Sequence, residues 1–324
     1  MFIDAVRIDA RHALRQWAGA LGSTAVALLV LSVGIGANLA MFGLFDALVL
    51  RPLPVPDPHR LVSFVAVDPK HPDELSTTLP YSVLSEFERR QTVFTAVAAY
   101  DTGGVTVETD GVLAQAGVLF VSDHYFDVLE VGPQLGRLLT ADDVKTTARV
   151  AVMTDGYWER RYSRDPKAIG TVVKLQGLPF TIVGIAARGF SGQNVDYVSA
   201  FVLPITTSKL LEHALGMAAD DAIPLEYGLG RLRPGVRIEA ARTQLEAFWP
   251  AIREASVPPK KTPDERQAFL ALALQVSSAA RGFSFMRDWW AGPLGLLVGA
   301  TNWMLLIACV NLASLATART IRRR

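Results

Sequence analysis

The chain has 324 residues, half of them hydrophobic and only 19% charged, with a net charge of +1, which is greasier than an ordinary soluble domain of this size. A single cysteine, Cys309, excludes an intrachain disulfide and a thiolate metal site. The charge is uneven: RTIRRR at 319–324 holds four arginines and no acid, so the body of the chain between its two ends is acidic, which argues against a nucleic-acid partner.

In chain order, Ile3, Val6, Ala10, Ala13 and Trp17 recur at three- and four-residue steps while Arg7, Arg11 and Arg15 lie along another face. This spacing predicts a cytoplasmic interfacial amphipathic helix over 1–17, its arginines reaching lipid phosphates and Trp17 anchoring it. From Trp17 to Phe45 no residue is charged. That run exceeds both the roughly 20 residues needed to cross a bilayer core and the 7–15-residue apolar core of a signal peptide. It predicts a retained membrane helix within 18–50. Ser32, Gly36 and Ala40 lie four apart beside Gly34, a face of small side chains that lets another backbone approach, and Asn38 adds an amide that hydrocarbon leaves unsatisfied.

Prolines 52, 54, 56 and 58 predict a stiff, extended exit from this helix. LVSFVAV at 61–67 reads as a strand, and LPYSVLSEFERRQTVF at 79–94 as a helix with Pro80 in its first turn. VAVMTD at 150–155 reads as a strand before a helical GYWERRYS, and TVVKLQGLPFTIVGI at 171–185 as a hairpin turning at Gln176 and Gly177. Ile238, Ala241, Leu245 and Phe248 mark the buried face of a helix that Pro250 should end or kink, and FLALALQV at 269–276 returns as a strand. RGFSGQN at 188–194 and SVPPKKTPDER at 256–266 read as loops.

A second uncharged run, Trp289 to Ala318, predicts another membrane helix over 289–318, with Gly295 and Gly299 in a GxxxG arrangement and Asn302 and Asn311 further along. Arginine flanks at both outer ends place the N-terminus and the basic end 319–324 in the cytoplasm and the region 51–288 on the far side. The fold class is α+β: two transmembrane helices flanking a mixed α/β extracytoplasmic domain.

No chemistry is legible. GxxxxGK[ST] and GxSxG are absent, and Gly34 with Gly36 imitates a dinucleotide fingerprint only within an apolar run. His12, His59, His71, His124 and His213 have no ligand spacing, so no metal and no cofactor are expected. Asp142 with Asp143 reads as a helix cap or solvated pair, and Arg160 and Arg161 beside Trp158 and Tyr162 as a half-buried helix face. The chain reads as no enzyme.

The strings DARHALRQW (9–17), LSVGIGANLAMFGLFDALVLRPLPVPDPHRLV (31–62), YFDVLEVGPQLGRLLTADD (125–143), VAVMTDGYWERRYSRDPKAIGTVVKLQGLPFTIVGIAARGFSG (150–192), YGLGRLRPGVRIEAARTQLEAF (227–248) and LLIACVNLASLATARTIRRR (305–324) stand in this order. Together they resemble the permeases of MacB/FtsX-type ABC transporters. The resemblance implies a MacB-like periplasmic core domain over 51–288, with a porter subdomain and a second subdomain inserted in its middle. It also implies a bacterial inner membrane location and a cytoplasmic ABC ATPase partner. Gly34, Gly36 and Asn38 then pack on the second span or on a second permease chain in a homo- or heterodimer. The work is mechanical transmission in an export complex. Family members continue after this basic end into two further membrane helices, so the chain is expected to be partial. The competing readings are a two-span extracytoplasmic sensor or ligand-binding protein, which needs a cytoplasmic output module, and a membrane-anchored enzyme.

Overall fold

The computed structural model describes residues 21–70, 79–109, 111–195, 197–216, 224–225, 227–258 and 261–321. The helix expected over 1–17, with Arg7, Arg11, Arg15 and Trp17, lies outside these residues, as do Arg322 to Arg324. Two compact units divide the chain: one contains α1 (Leu21–Phe45) and the last helix, Phe285–Ile321, and the other is a domain over Pro52–Ser284.

In chain order the domain carries β1 (Leu61–Val67), β2 (Leu79–Pro80), α2 (Ser82–Arg90), β3 (Phe94–Thr109), β4 (Val112–Val121), α3 (Tyr125–Leu129) and β5 (Pro133–Gly136). There follow α4 (Ala141–Lys145), β6 (Val150–Met153), α5 (Asp155–Tyr162), β7 (Val172–Leu175), β8 (Leu178–Ala186), β9 (Ser199–Pro204) and α6 (Ser208–Ala214). Then come β10 (Pro224–Leu225), β11 (Tyr227–Leu232), α7 (Ile238–Ala255), α8 (Pro263–Ala271) and β12 (Ala273–Ser278); the last helix of the chain is α9 (Phe285–Ile321).

Among the described residues one sheet of ten strands runs in the order β12-β1-β11-β3-β4-β9-β6-β8-β5, with β7 pairing both β3 and β8. The pairings β3–β4–β9–β6–β8–β7 and back to β3 therefore form a closed ring of six strands. Strand β3 joins two regions: its first half, to Tyr100, pairs with β11, and its second half, from Tyr100 to Thr109, pairs with β4. The fold is a mixed α/β domain flanked in sequence by two long apolar helices.

In the open part of the sheet, strand β11 is buried on both faces. On β11 all six residues are buried; Tyr227 and Leu229 belong to the cluster under α3, and Leu232 to the cluster under α2 and α7. Successive strand residues point to opposite faces, so Gly228 and Gly230 share the face of Leu232. Rings fill the space these glycines leave: Phe64 lies over Gly228 and Phe94 over Gly230. Helices close that face, with Phe87 of α2 stacked on Trp249 of α7 at 6.2 Å, while Trp249 Nε1 donates to Leu272 O at 2.8 Å.

Strand β1 occupies 61–67 as expected, and the hairpin of β7 and β8 turns at Gln176 (φ 50°) and Gly177 (φ 77°), the pair of positive φ values that a two-residue type I′ turn requires. Three expectations are corrected. Helix α2 starts at Ser82, because Leu79 and Pro80 pair instead with Leu225 and Pro224. Helix α7 continues through Pro250 to Ala255: the proline and Glu246 four residues earlier are both exposed, so the carbonyl deprived of its donor faces water, while buried Trp249 and Ile252 hold the helix on the sheet. The strand expected at 269 begins at Ala273, since Thr262 and Glu265 form a capping box with Pro263 at the first helical position, and α8 runs through Ala271.

Candidate functional site

Two helices among the described residues are long and apolar enough to cross a membrane, over Leu28–Phe45 in α1 and Trp289–Ser314 in α9. They pair with each other. Asn38 Nδ2 donates to Asn302 Oδ1 at 2.7 Å. A Cβ added to Gly34 would meet Leu305 Cδ1 at 3.3 Å, and one on Gly295 would meet Phe45 Cε2 at 4.0 Å. Rising numbers in α1 against falling numbers in α9 make the pair antiparallel. Amides in an apolar setting carry a large penalty if left alone, so a bond between the two helices fixes their register at this depth.

The nine small or polar residues singled out in the sequence therefore separate. Gly34, Asn38, Gly295 and Asn302 lie at or beside the seam. Ser32, Gly36, Ala40 and Asn311 are exposed, and a Cβ on Gly36 or Gly299 would meet nothing within 4 Å. Exposed Val26, Leu29, Leu39, Leu296 and Met304 complete an outer surface of the kind that hydrocarbon solvates.

Within the domain, one buried cation ties its own strand to two segments that are far apart from it in sequence. Arg231 on β11 is 1% exposed. Its Nε donates to Val128 O in α3, its Nη2 to Pro56 O at 3.0 Å and its Nη1 to Asp57 O at 3.5 Å. Glu130 Oε2 lies 3.5 Å from Nη1. Burial pulls the guanidinium down from its ordinary value; the Glu130 carboxylate opposes this and Arg60 adds to it. Arg60 donates from Nε to Leu232 O at 2.8 Å and lies 3.7 Å from Asp57.

The expected extended exit is irregular rather than a strand. A π-helical turn covers Asp46–Leu50, Asp57 takes a left-handed φ of 40°, and a short 3-10 turn covers Pro58–Arg60. The two ends of the domain lie side by side: Leu53 N donates to Ala280 O and Ala279 N to Leu61 O, each at 2.9 Å. Phe283 N donates to Gln193 O at 2.8 Å, and the Gln193 side chain accepts from the buried Tyr125 hydroxyl. Sequence reasoning gave Arg231 no role, because its partners are mostly carbonyl oxygens, which no residue type announces.

Outside these contacts, His124 Nδ1 lies 3.0 Å from Asp127 and its Nε2 lies 3.3 Å from Glu88 and 3.9 Å from Asp123. The hydrogen bond that the ring donates to Asp127 raises the imidazole above its ordinary value against partial burial, helped by the charges of Asp123 and Glu88. Asp143 closes a capping box with Thr140 and holds Arg137 in a two-pronged ion pair at 2.6 and 3.0 Å. Arg160 and Arg161 on α5 are exposed beside buried Trp158. No group of three or more His, Cys, Asp or Glu among the described residues is arranged to hold a metal ion.

A family model described as the MacB-like periplasmic core domain matches residues 24–248. The chain is similar to the macrolide export ATP-binding/permease protein MacB 1 of Yersinia pestis bv. Antiqua (strain Antiqua) and to MacB 1 of Yersinia pseudotuberculosis serotype I (strain IP32953). Each is 23% identical over 211 residues, a stretch that covers 61% of this chain and 31% of the relative. The chain thus spans less than a third of the length of these relatives. In three dimensions it resembles the periplasmic region of MacB from Actinobacillus actinomycetemcomitans, with a TM-score of 0.50 and 13% identity, over 68% of this chain and 89% of that one; at this identity the likeness shows the fold alone. With the family model reaching from α1 to α7 across more than two thirds of its residues, the chain belongs to the family of the MacB-like periplasmic core domain.

Proposed function

We propose that the chain is a permease or mechanotransmission subunit of an ABC-type export complex, coupling a cytoplasmic ATPase to a domain outside the membrane. The observation that carries this reading is a MacB-like domain inserted between two helices that hydrogen-bond to each other at Asn38 and Asn302. In this reading α1 and α9 cross the bacterial inner membrane, 1–17 lies on its cytoplasmic face, 319–324 is a cytoplasmic basic end, and 51–288 is periplasmic. Arg319 at one end of α9 and the aromatic pair Trp289 and Trp290 at the other support that orientation. At about 1.5 Å per residue, α9 is roughly 55 Å long, well beyond a hydrocarbon core of about 30 Å, which suits a rod that carries displacement past the bilayer.

The small-residue face at Ser32, Gly36 and Ala40 is assigned to a second permease chain, in a homo- or heterodimer. Export of a cargo is work for the assembled complex, with the ATPase supplying the energy and this chain transmitting it.

Affinity purification of the full chain from cells that express its neighbouring genes is expected to recover a P-loop ATPase. Repeated recovery of the chain without one, together with a purified domain that binds a defined small ligand, would replace this reading with a two-span sensor. Thiol labelling of single-cysteine variants should find Val112 accessible from outside the cell; labelling only from the cytosol overturns the orientation.

A further inference from the structure

Three of the strings that carry the family resemblance meet at one side chain. PDPHR supplies the carbonyls of Pro56 and Asp57, YFDVLE supplies the Val128 carbonyl and the Glu130 carboxylate, and YGLGRL supplies Arg231 itself. We propose that Arg231 is the clasp that fixes the lead-in segment 53–60 and the end of α3 to strand β11, so that a displacement of that segment is passed to the sheet instead of being absorbed by a loose strap. The passing of displacement rests on the mechanical reading above; the clasp itself does not.

The chemistry of the segment calls for such a donor. Prolines 52, 54, 56 and 58 have no N–H, so this stretch cannot zip onto a sheet edge by the usual ladder, yet its carbonyls still need partners where they are covered. A guanidinium offers five donors in a planar fork. Here that fork bonds oxygens from the lead-in segment and from α3 at once, which the single ammonium of a lysine cannot span. Arg60 reinforces the joint from the solvent side by bonding Leu232 O on the same strand. The joint is also continuous with the pairing of Leu53 to Ala280, so loosening it frees the lead-in segment along its length.

The test is amide hydrogen exchange on the full chain in detergent, comparing the native protein with Arg231→Lys, Arg231→Met and the control Arg233→Gln, whose side chain bonds Phe94 O instead. Peptides covering 53–61 and 125–130 should exchange roughly tenfold faster in both Arg231 variants, as expected for local opening, with β6 and β9 unchanged and the control like the native chain. If both variants fail to fold, Arg60→Gln is measured in the same way and should accelerate 53–61 by roughly threefold.

Unchanged protection of 53–61 in a folded Arg231→Lys chain overturns the clasp, and so does equal acceleration across every strand, which would make Arg231 an ordinary core residue. A second arm adds ATP to the chain bound to its recovered ATPase. A nucleotide-dependent change at 125–130 should appear in the native complex and vanish in Arg231→Lys. Its persistence there overturns the transmission step, whereas its absence from the native complex overturns the mechanical reading and leaves the first arm standing.

Discussion

Gly228 offers a measurable test of how the sheet and its helices are packed. It stands opposite Phe64 in the β1–β11 pair, and a Cβ there would lie 1.9 Å from Phe64 Cε2 and 2.3 Å from Cδ2. Carbon atoms rest about 3.5 Å apart or more, so the ring would have to retreat by about 1.6 Å. There is little room: Phe64 is 2% exposed, meets Phe87 edge-on at 5.4 Å and lies 6.5 Å from Phe94. Overpacking of this kind costs about 1–3 kcal/mol, offset by about 0.5–1 kcal/mol for removing a glycine from a strand. Gly228→Ala should therefore lose about 1–2 kcal/mol net, a fall of roughly 2–8 °C in Tm for a domain of this size. Thermal unfolding of the full chain, followed by tryptophan fluorescence, reads it out, because Trp249 stacks on Phe87.

Two comparisons make the test specific. Gly104→Ala should stay within about 0.5 kcal/mol, since a Cβ there meets only Tyr197 Oη at 4.0 Å. Adding Phe64→Leu to Gly228→Ala should cost less than the two single changes together by more than about 0.5 kcal/mol. An unchanged Tm in Gly228→Ala, or strict additivity in the double variant, refutes the close packing of ring on glycine.

In the helix pair, Asn38→Leu and Asn302→Leu should each weaken the association of α1 with α9 by about 0.6–2 kcal/mol, and the double variant should cost little more than either, as a double-mutant cycle in detergent will show. His124 has a raised folded value, so its contribution is fully present below the ordinary histidine value of about 6.5 and is lost as pH rises through the raised one. The stability difference between the native chain and His124→Asn should accordingly shrink from pH 5.5 to pH 8.5, by less than about 1 kcal/mol because the site is partly exposed. Burial raises the Asp143 carboxyl, but hydrogen bonds from Arg137 and Thr140 outweigh it and hold the group below its ordinary value. Its contribution is thus present above about pH 3.9 and lost as pH falls through the lower folded value; Asp143→Asn should cost about 1–3 kcal/mol at neutral pH, measured by guanidinium unfolding.

What the sequence disclosed follows from where its signals are local. LVSFVAV has a strand's length and composition and a proline-rich flank, and Gln176-Gly177 offers the positive φ that the hairpin requires, so both were legible. FLA at 269–271 was not, because a short apolar run suits helix and strand alike; the deciding signal was the Thr262 and Glu265 capping box, hidden in a polar run. Strand β3 went unread because Asp101, Thr102, Gly103 and Gly104 interrupt its alternation. Asn38 and Asn302 stood out as costly amides, whereas a four-residue spacing of small residues states only that a face is narrow, not which helix meets it. Arg231 was the least legible of all: its role depends on backbone oxygens brought together from positions 56, 57 and 128.

The bond between Leu53 and Ala280 has a consequence for assembly. A long unstructured connector would penalise the meeting of two helices through the entropy of ring closure, which grows with the logarithm of its length. Because the intervening polypeptide folds with its beginning and its end adjacent, α1 and α9 search for each other as though joined by a short tether. An insert of this size thereby adds almost no closure cost, and any other self-folding insert with equally close ends should be tolerated in its place.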